Sequence, residues 1–214
     1  MEPELYQMAP KGVSIHSARM QLKDFTQKAL LRMVDDVSRE TELLSNANVD
    51  VIIYGCSTCS LVGGVDWENV LAQQIEFNSG KRVVTVNRAV VKAINRLGDG
   101  GVGVVTPYDH ALNSLERDYL ESHGLDVVSC IGMGLHNPED IGNASEKEIL
   151  SAVRIAIEYA DILYLSCTNL PAVQLIEKIE SEYTVPVVTG NQAALWSALE
   201  DQDLDRVVGY GRLF

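Results

Sequence analysis

The chain has 214 residues, of which 46% are hydrophobic and 22% are charged, a composition typical of an ordinary globular protein. Its formal net charge of −13 argues against a nucleic-acid partner, because nucleic-acid binding requires a basic surface. The sequence contains neither a signal segment nor a run of about 18 apolar residues, so we expect a cytoplasmic protein without a membrane partner.

Short apolar runs alternate with longer segments of helical periodicity along the whole chain. The predicted strands are 13–15, 49–54, 83–86, 102–106, 125–128, 161–165 and 185–189. The predicted helices are 24–46, 66–79, 88–97, 110–123, 145–160, 171–182 and 192–200. This alternation predicts an α/β fold in which mainly parallel sheets carry helices on both faces.

The two halves of the chain resemble each other. In 50–57 and in 161–168, a cysteine follows an aspartate by six residues and precedes a hydroxyl residue. Segment 83–89 resembles 187–193, and a glycine precedes each aspartate by a similar distance. We therefore infer an internal duplication that produces two pseudo-symmetric, Rossmann-like lobes.

The repeat also predicts the domain boundaries. We place the N-terminal lobe at 1–98 and the C-terminal lobe at 99–204, divided at a glycine-rich turn, with 205–214 packing back on the first lobe. The same alignment pairs Met1 with Asn113, so 101–108 has no counterpart in the first half. We expect the N-terminal lobe to lack its first strand.

Cys56 and Cys167 are the candidate catalytic residues. Each ends a predicted buried strand, where parallel α/β sheets bind ligands, and the pseudo-twofold axis would bring the two strand ends face to face. Two opposed thiols could move a proton to or from either face of a carbon, or one could add to the substrate while the other protonates it. Helix N-termini near Asp66 and Pro171 are expected to favour the thiolates.

Cys56 and Cys59 also form a C-x-x-C pattern, which invites a redox or zinc interpretation. The second half has no matching pair, and the four histidines show no ligand spacing, so we predict no metal. We assign Cys59 and Cys130 to packing and keep a reversible Cys56–Cys59 disulfide as an alternative role. No phosphate-binding glycine motif links a strand to a helix, so the sequence gives little support for a nucleotide cofactor.

Polar residues accompany the two cysteines and could hold a carboxylate or stabilise an enediolate. The candidate substrate-binding residues are Ser57, Thr58, Tyr108, Asn137 and Thr168. Asn137 could equally be a turn residue, and a half-buried aromatic is the simpler interpretation of Tyr108. We expect Asn87 and Asn191, which recur after corresponding strands, to fix the loops.

Five segments resemble the branch of the aspartate/glutamate racemase superfamily that contains maleate cis-trans isomerases and arylmalonate decarboxylases. They are the two cysteine loops 54–64 and 165–170, the tyrosine loop 104–108, segment 187–193 and the closing segment 209–214. The resemblance covers nearly the whole chain. It implies two pseudo-symmetric lobes, no cofactor, no metal and a homo-oligomer, either a dimer or a tetramer.

The resemblance also implies roles for individual residues. Cys56 would add to the double bond of maleate, and Cys167 would deliver the proton, so that rotation and elimination give fumarate. Ser57, Thr58, Tyr108 and Thr168 would hold the carboxylates, and Asn137 corresponds to a substrate-binding asparagine. Family members usually begin with a strand and an asparagine-containing loop just before the position of Met1, the same gap that the repeat indicates.

Three alternatives remain at this point. The same thiols could racemise an amino acid of the aspartate or glutamate type by two-base proton transfer. An arylmalonate-type decarboxylase is less favoured, because such decarboxylases typically keep only the second cysteine. The missing strand would also fit a degenerate, non-enzymatic domain that binds a carboxylate.

Overall fold

The computed structural model of the chain describes residues 1–21, 27–135, 137–200, 202, 204 and 207–214, and for 27–35 the backbone only. The strands are β1 (Val51–Tyr54), β2 (Arg82–Thr85), β3 (Val102–Thr106), β4 (Val127–Gly132), β5 (Ile162–Leu165) and β6 (Val187–Thr189). The helices are α1 (Glu2–Met8), α2 (Gln27–Asn46), α3 (Ser57–Ser79), α4 (Val86–Leu97), α5 (His110–Ser122), α6 (Pro138–Gly142), α7 (Glu146–Ala156), α8 (Ile176–Tyr183) and α9 (Gly190–Leu199), with a 3₁₀ turn at Val173–Leu175.

All of the strand pairings are parallel, which confirms the predicted α/β fold. Strands β1 and β2 form a two-stranded sheet in which Val51 lies opposite Arg82. The second half forms a four-stranded sheet in the order β4-β3-β5-β6. In the repeat, β5 and β6 correspond to β1 and β2, so the larger sheet contains the smaller arrangement plus two further strands.

The predicted strand 13–15 is wrong, since residues 13–21 contain no strand. Its counterpart in the second half leads into β4, which is held in place by pairing with β3. The first half of the described chain has no equivalent of β3, so the backbone of 13–15 has no strand to pair with. The expectation that the first lobe lacks a strand agrees with this two-stranded sheet.

Helix boundaries differ from the prediction mainly beside the first cysteine. Helix α3 begins at Ser57 and consists of two helical parts on either side of Gly64. The second part agrees with the predicted helix 66–79, and the first part was not predicted. Gly64 has φ 79° and ψ 175° and kinks the helix, which hides the first turns from a periodicity argument. Helices α1 and α6 were not predicted, because they are too short to show a period. The predicted helix 24–46 corresponds to α2, and its first residues, 24–26, lie outside the described residues.

The buried apolar residues form one large cluster and one small one. The large cluster contains residues from both halves, including Leu5, Val90, Val104 and Leu163. The small cluster lies behind the first cysteine loop and consists of Val37, Ile52, Tyr54, Cys59, Leu71 and Ile75. Buried side chains therefore support both cysteine loops from behind.

The closing residues pack against the start of the chain and against α9. The Tyr210 hydroxyl donates to the Gln7 carbonyl at 2.8 Å, and the Tyr210 carbonyl accepts from Gln192 Nε2 at 2.7 Å. Leu213 is buried in the large cluster. The boundary between the lobes at residue 98 stays a prediction. In the described part of the chain, no helix is long and apolar enough to cross a membrane.

Candidate active site

Cys56 stands at the point where β1 passes into α3. It is the N-cap residue of α3, with φ −120° and ψ 102°, and it is half-buried. A helix N-terminus carries a partial positive charge that favours an anion nearby. The helix N-terminus beside Cys56 is therefore the one at Ser57, ahead of the kink at Gly64, and not the one near Asp66 that the sequence analysis considered.

Cys167 follows β5 in the corresponding position, but its backbone is unusual. Its φ of 86° lies in the left-handed region, which glycine adopts freely, asparagine and aspartate adopt occasionally and other residues rarely adopt. The Asn169 amide N–H donates to Cys167 Sγ at 3.4 Å. Strained backbone of this kind persists only where the surroundings hold it, and it is concentrated at functional sites.

Both cysteines line one cavity of about 860 Å³. Ser57, Thr58 and Thr168 also belong to its wall. Its lining also includes strand β1 and segment 12–20. The central expectation from the sequence, that the two thiols share one space, agrees with this lining.

Direct hydrogen bonds join the two cysteine loops. Thr168 Oγ1 in the second loop donates to the Gly55 carbonyl in the first at 3.0 Å. Asn87 Nδ2 donates to the Ser57 carbonyl at 3.1 Å, and Asn191 Nδ2 donates to the Thr168 carbonyl at 2.9 Å. The loop-fixing role expected for the two asparagines agrees with these contacts.

Tyr108 lies behind the hydroxyl groups and contacts both loops. Its side chain is only 1% exposed, and its hydroxyl lies 3.3 Å from Ser57 Oγ and accepts from Thr58 Oγ1 at 3.2 Å. On the other side it faces the Cys167 thiol, where its hydrogen bond lowers the pKa of that thiol. Tyr108 is therefore fully buried rather than half-buried, and it connects the first loop to the second cysteine.

The two thiols differ in their electrostatics. Burial raises the pKa of Cys167, and the hydrogen bonds from Tyr108, Asn169 and Leu170 oppose that effect. The hydrogen bond to Cys59, together with burial, raises the pKa of Cys56 well above its ordinary value. Both catalytic candidates consequently hold their protons near neutral pH, which suits Cys167 as a proton donor.

Two buried glutamates support the site, and the sequence analysis missed both. Glu4 accepts from the Ala172 and Val173 amides at 2.8 and 2.9 Å and from Asn191 Nδ2 at 2.6 Å. Glu116 accepts from Ser166 Oγ at 2.9 Å, directly beside Cys167. The alignment of Met1 with Asn113 also pairs Glu4 with Glu116, a signal in the repeat that could have identified them.

The structure does not bring Asn137 to the cavity wall. Its Oδ1 accepts from the Asp140 amide at 2.8 Å, which makes it the N-cap of α6, and the neighbouring Pro138 lines the cavity instead. Cys130 is half-buried, with Sγ 3.8 Å from the Asn113 carbonyl. All four cysteines are free thiols, and the described residues contain no group of three or more potential metal ligands.

The chain is similar to known proteins along nearly its whole length. A model of the arylmalonate decarboxylase family matches residues 1–214. A maleate isomerase of Nocardia farcinica is 27% identical over 208 residues, which cover 94% of this chain and 83% of that protein.

Two solved structures superpose closely. One is a cysteine-to-alanine variant of the maleate isomerase of Pseudomonas putida S16 with maleate, at a TM-score of 0.91, 26% identity and coverage of 99% of this chain and 89% of that one. The other is a cysteine-to-serine mutant of the Nocardia farcinica maleate cis-trans isomerase with a covalently bound succinylcysteine intermediate. It has a TM-score of 0.90, 26% identity and coverage of 99% and 90%.

Proposed function

Because this chain belongs to the arylmalonate decarboxylase family, we propose that it is an isomerase that converts maleate, or a closely similar small dicarboxylate, from cis to trans without a cofactor. The observation that carries the proposal is the position of Cys56 and Cys167 on one cavity. Two relatives support the choice of reaction, since both are maleate isomerases and one holds a succinylcysteine intermediate.

The reaction proceeds by addition, rotation and elimination. The sulfur of Cys56 bonds to one olefinic carbon as its S–H proton passes to a neighbouring acceptor, from which it returns on elimination. The displaced π electrons form a C–H bond at the other carbon with the proton of Cys167. The product is a succinyl group on Cys56, whose central bond is now single and rotates. Cys167, now a thiolate, removes the proton again, and the C–S bond breaks to release the trans diacid.

Hydroxyl groups beside the two cysteines bind the carboxylates in this proposal. Ser57, Thr58 and Thr168 stand beside the cysteines on the cavity wall, and Tyr108 orients the first two from behind. Donors of this kind bind a carboxylate and stabilise the enediolate that forms when the thiol adds. Thr58 and Thr168 would turn toward the substrate the hydroxyl protons that they now donate to Tyr108 and to the Gly55 carbonyl. They also account for an anionic substrate in a chain of net charge −13. Asn137 would need to leave its N-cap position to take part.

Replacement of each cysteine tests the proposal. We expect Cys56→Ala and Cys167→Ala each to lower maleate-to-fumarate conversion, followed by proton NMR, by at least about a thousandfold. Cys130→Ala, in a half-buried thiol away from the cavity, should retain activity. A Cys167→Ser variant incubated with maleate should gain the mass of one maleate on the peptide that contains Cys56. Undiminished turnover in both alanine variants would reject the proposal.

Assays of the unmodified protein with other substrates separate the alternatives. Exchange of the α-hydrogen of aspartate or glutamate for deuterium, without maleate turnover, would indicate a racemase. Release of carbon dioxide from an arylmalonate would indicate a decarboxylase, and tight carboxylate binding without any turnover a binding domain. No observation in the structure favours one of these three over the isomerase.

We also propose that the protein acts in the cytoplasm as a homo-dimer or homo-tetramer built from lobes 1–98 and 99–204. Phe77 and Val70 support an oligomer, since they lie seven residues apart on α3 and are 89% and 62% exposed. Residues with this spacing share a helix face, and an apolar exposed face favours association. Sedimentation of the full chain measures the oligomeric state, and a monomer would contradict this part.

A further inference from the structure

Cys56 contacts a second thiol that the proposed reaction does not yet use. The sulfur of Cys59 lies 3.2 Å from that of Cys56, with Cys56 as the donor. Cys59 is 2% exposed and belongs to the first turn of α3, in the small cluster behind the loop. The second cysteine loop has Leu170 at the corresponding place, so this contact is a feature of the first loop alone.

The two sulfurs share their protons unequally. The hydrogen bond from Cys56 lowers the pKa of Cys59, Tyr54 acts in the same sense, and burial opposes both. The pKa of Cys56 is raised, first by the same hydrogen bond and then by burial. The first proton that the pair loses therefore leaves an anion on Cys59 and a neutral thiol on Cys56.

A nucleophile that keeps its proton needs an acceptor at the moment of attack, since the thiolate is the reactive species. Two ionisable groups outside the pair act on it, Tyr54 and Cys167. Tyr54 has a raised pKa and stays neutral, so it cannot accept a proton. Cys167 lines the same cavity and acts electrostatically on Cys56, but in the proposed reaction it donates its own proton to the substrate in the same step. Cys59 is the remaining adjacent group, in hydrogen-bond contact with Cys56, and it is the thiol of the pair whose pKa is lowered.

We propose that Cys59 is the proton acceptor for Cys56, a catalytic role that extends the proposed isomerisation and rests on it. As the sulfur of Cys56 bonds to the olefinic carbon, its S–H bond breaks and the proton passes to Cys59 Sγ. Cys167 becomes the thiolate when it protonates the other carbon, so one negative charge moves from Cys59 to Cys167. Elimination reverses each transfer, and Cys59 returns the proton to Cys56.

Cys59→Ala and Cys59→Ser test this role, because serine keeps the size of the side chain but does not ionise near neutral pH. The first readout is the rate of Cys56 alkylation by iodoacetamide between about pH 6 and pH 10, followed by peptide mass. We expect both variants to react about a hundredfold more slowly at neutral pH, with the deficit closing as Cys56 ionises by itself at high pH.

The second readout is kcat/KM for maleate over the same range, which should show the same upward shift in pH. Alkylation of Cys167 in the same samples reports that the fold is intact, since Cys59 does not contact that thiol. Alkylation and kcat/KM profiles of both variants that match the unmodified protein would overturn the role of Cys59. A shifted alkylation profile in a protein without maleate turnover would support the thiol pair and reject the reaction instead.

Discussion

Asn87 and Asn191 occupy equivalent places in the two halves, and each donates its amide to the carbonyl of the hydroxyl residue that follows one of the two candidate cysteines. The distances are 3.1 Å to Ser57 and 2.9 Å to Thr168. Both asparagines are buried at the start of helices that follow corresponding strands. The duplication has thus preserved the way in which a cysteine loop is held as well as the cysteine itself.

Removal of either asparagine side chain should loosen its loop. For Asn87→Ala and for Asn191→Ala we expect a loss of about 1–3 kcal/mol in the free energy of unfolding, because a buried carbonyl loses its partner. The loss should be larger for Asn191, whose amide also donates to Glu4. Displaced thiols should lower kcat/KM by about tenfold to a hundredfold. Urea unfolding and the maleate assay measure both effects, and the exposed Asn78→Ala variant is the control.

Tyr108 should act through Cys167 more than through the stability of the fold. Tyr108→Phe removes the hydroxyl whose hydrogen bond lowers the pKa of Cys167. The pH at which iodoacetamide alkylates Cys167 should therefore rise. The maleate turnover number should fall by about a hundredfold, the effect of losing one donor to a developing anion.

Tyr159→Phe is the matched control, since Tyr159 is 78% exposed on the surface and its hydroxyl makes no contact with the site. An unchanged alkylation profile for Cys167 in Tyr108→Phe would show that the tyrosine serves packing alone.

The sequence was sufficient to predict both cysteine loops, because an aspartate six residues before each cysteine and a hydroxyl residue after it recur within one chain. Features that depend on the folded backbone were not predictable in this way. The left-handed φ of Cys167 leaves no mark on composition, and Gly64 conceals the start of α3 by breaking its period. The C-x-x-C spacing indicated that Cys56 and Cys59 could lie close together. The effect of their contact on the pKa of each thiol depends on burial, which the spacing does not give.

The predicted strand 13–15 failed for a related reason. Its apolar pattern is adequate, but a strand needs a neighbour, and the described first half contains no equivalent of β3. Asn137 shows the opposite difficulty, since a side chain that could bind substrate is instead engaged in capping α6. Local pattern identifies candidate residues, whereas pairing across the fold decides which of them are used.

The contact between Cys56 and Cys59 predicts how the protein responds to peroxide. The Cys59 thiolate reduces the peroxide bond and becomes a sulfenic acid, and Cys56 then displaces water to form a disulfide. Each molecule of hydrogen peroxide thus oxidises two thiols and yields two molecules of water. Because Cys56 is the proposed nucleophile, we expect activity to fall in proportion to the fraction of molecules that contain the disulfide. Dithiothreitol should restore the activity. Peptide mass distinguishes the reduced from the oxidised protein.

Cys59→Ser provides the comparison for this oxidation, since it removes the thiolate that reacts first with peroxide. The variant should therefore lose activity more slowly at the same peroxide concentration, and its peptide masses should show no Cys56–Cys59 disulfide. Loss of activity as fast as in the unmodified protein would contradict oxidation through Cys59.

Glu116 should make the stability of the protein depend on pH. Burial raises the pKa of its carboxyl from 4.5 to about 7, against the hydrogen bonds from Ser166 and Tyr164. The unfolded chain therefore loses this proton at lower pH than the folded one. The associated stability is fully present below pH 4.5 and is lost as the pH rises to about 7, a total of about 3 kcal/mol.

Glu116→Gln removes this titration while keeping an oxygen that accepts from Ser166 Oγ. The variant and the unmodified protein should have similar free energies of unfolding at about pH 4.5, and the variant should be more stable by about 3 kcal/mol at pH 8. Urea unfolding across this pH range measures the difference in the free energy of unfolding between the two proteins. The titrations of all other groups are common to both proteins and cancel in that difference. Glu158→Gln, at an exposed carboxyl of the same half, should show no such trend. A constant difference between Glu116→Gln and the unmodified protein would mean that Glu116 is already ionised inside the fold, so that the anion beside Cys167 would be permanent.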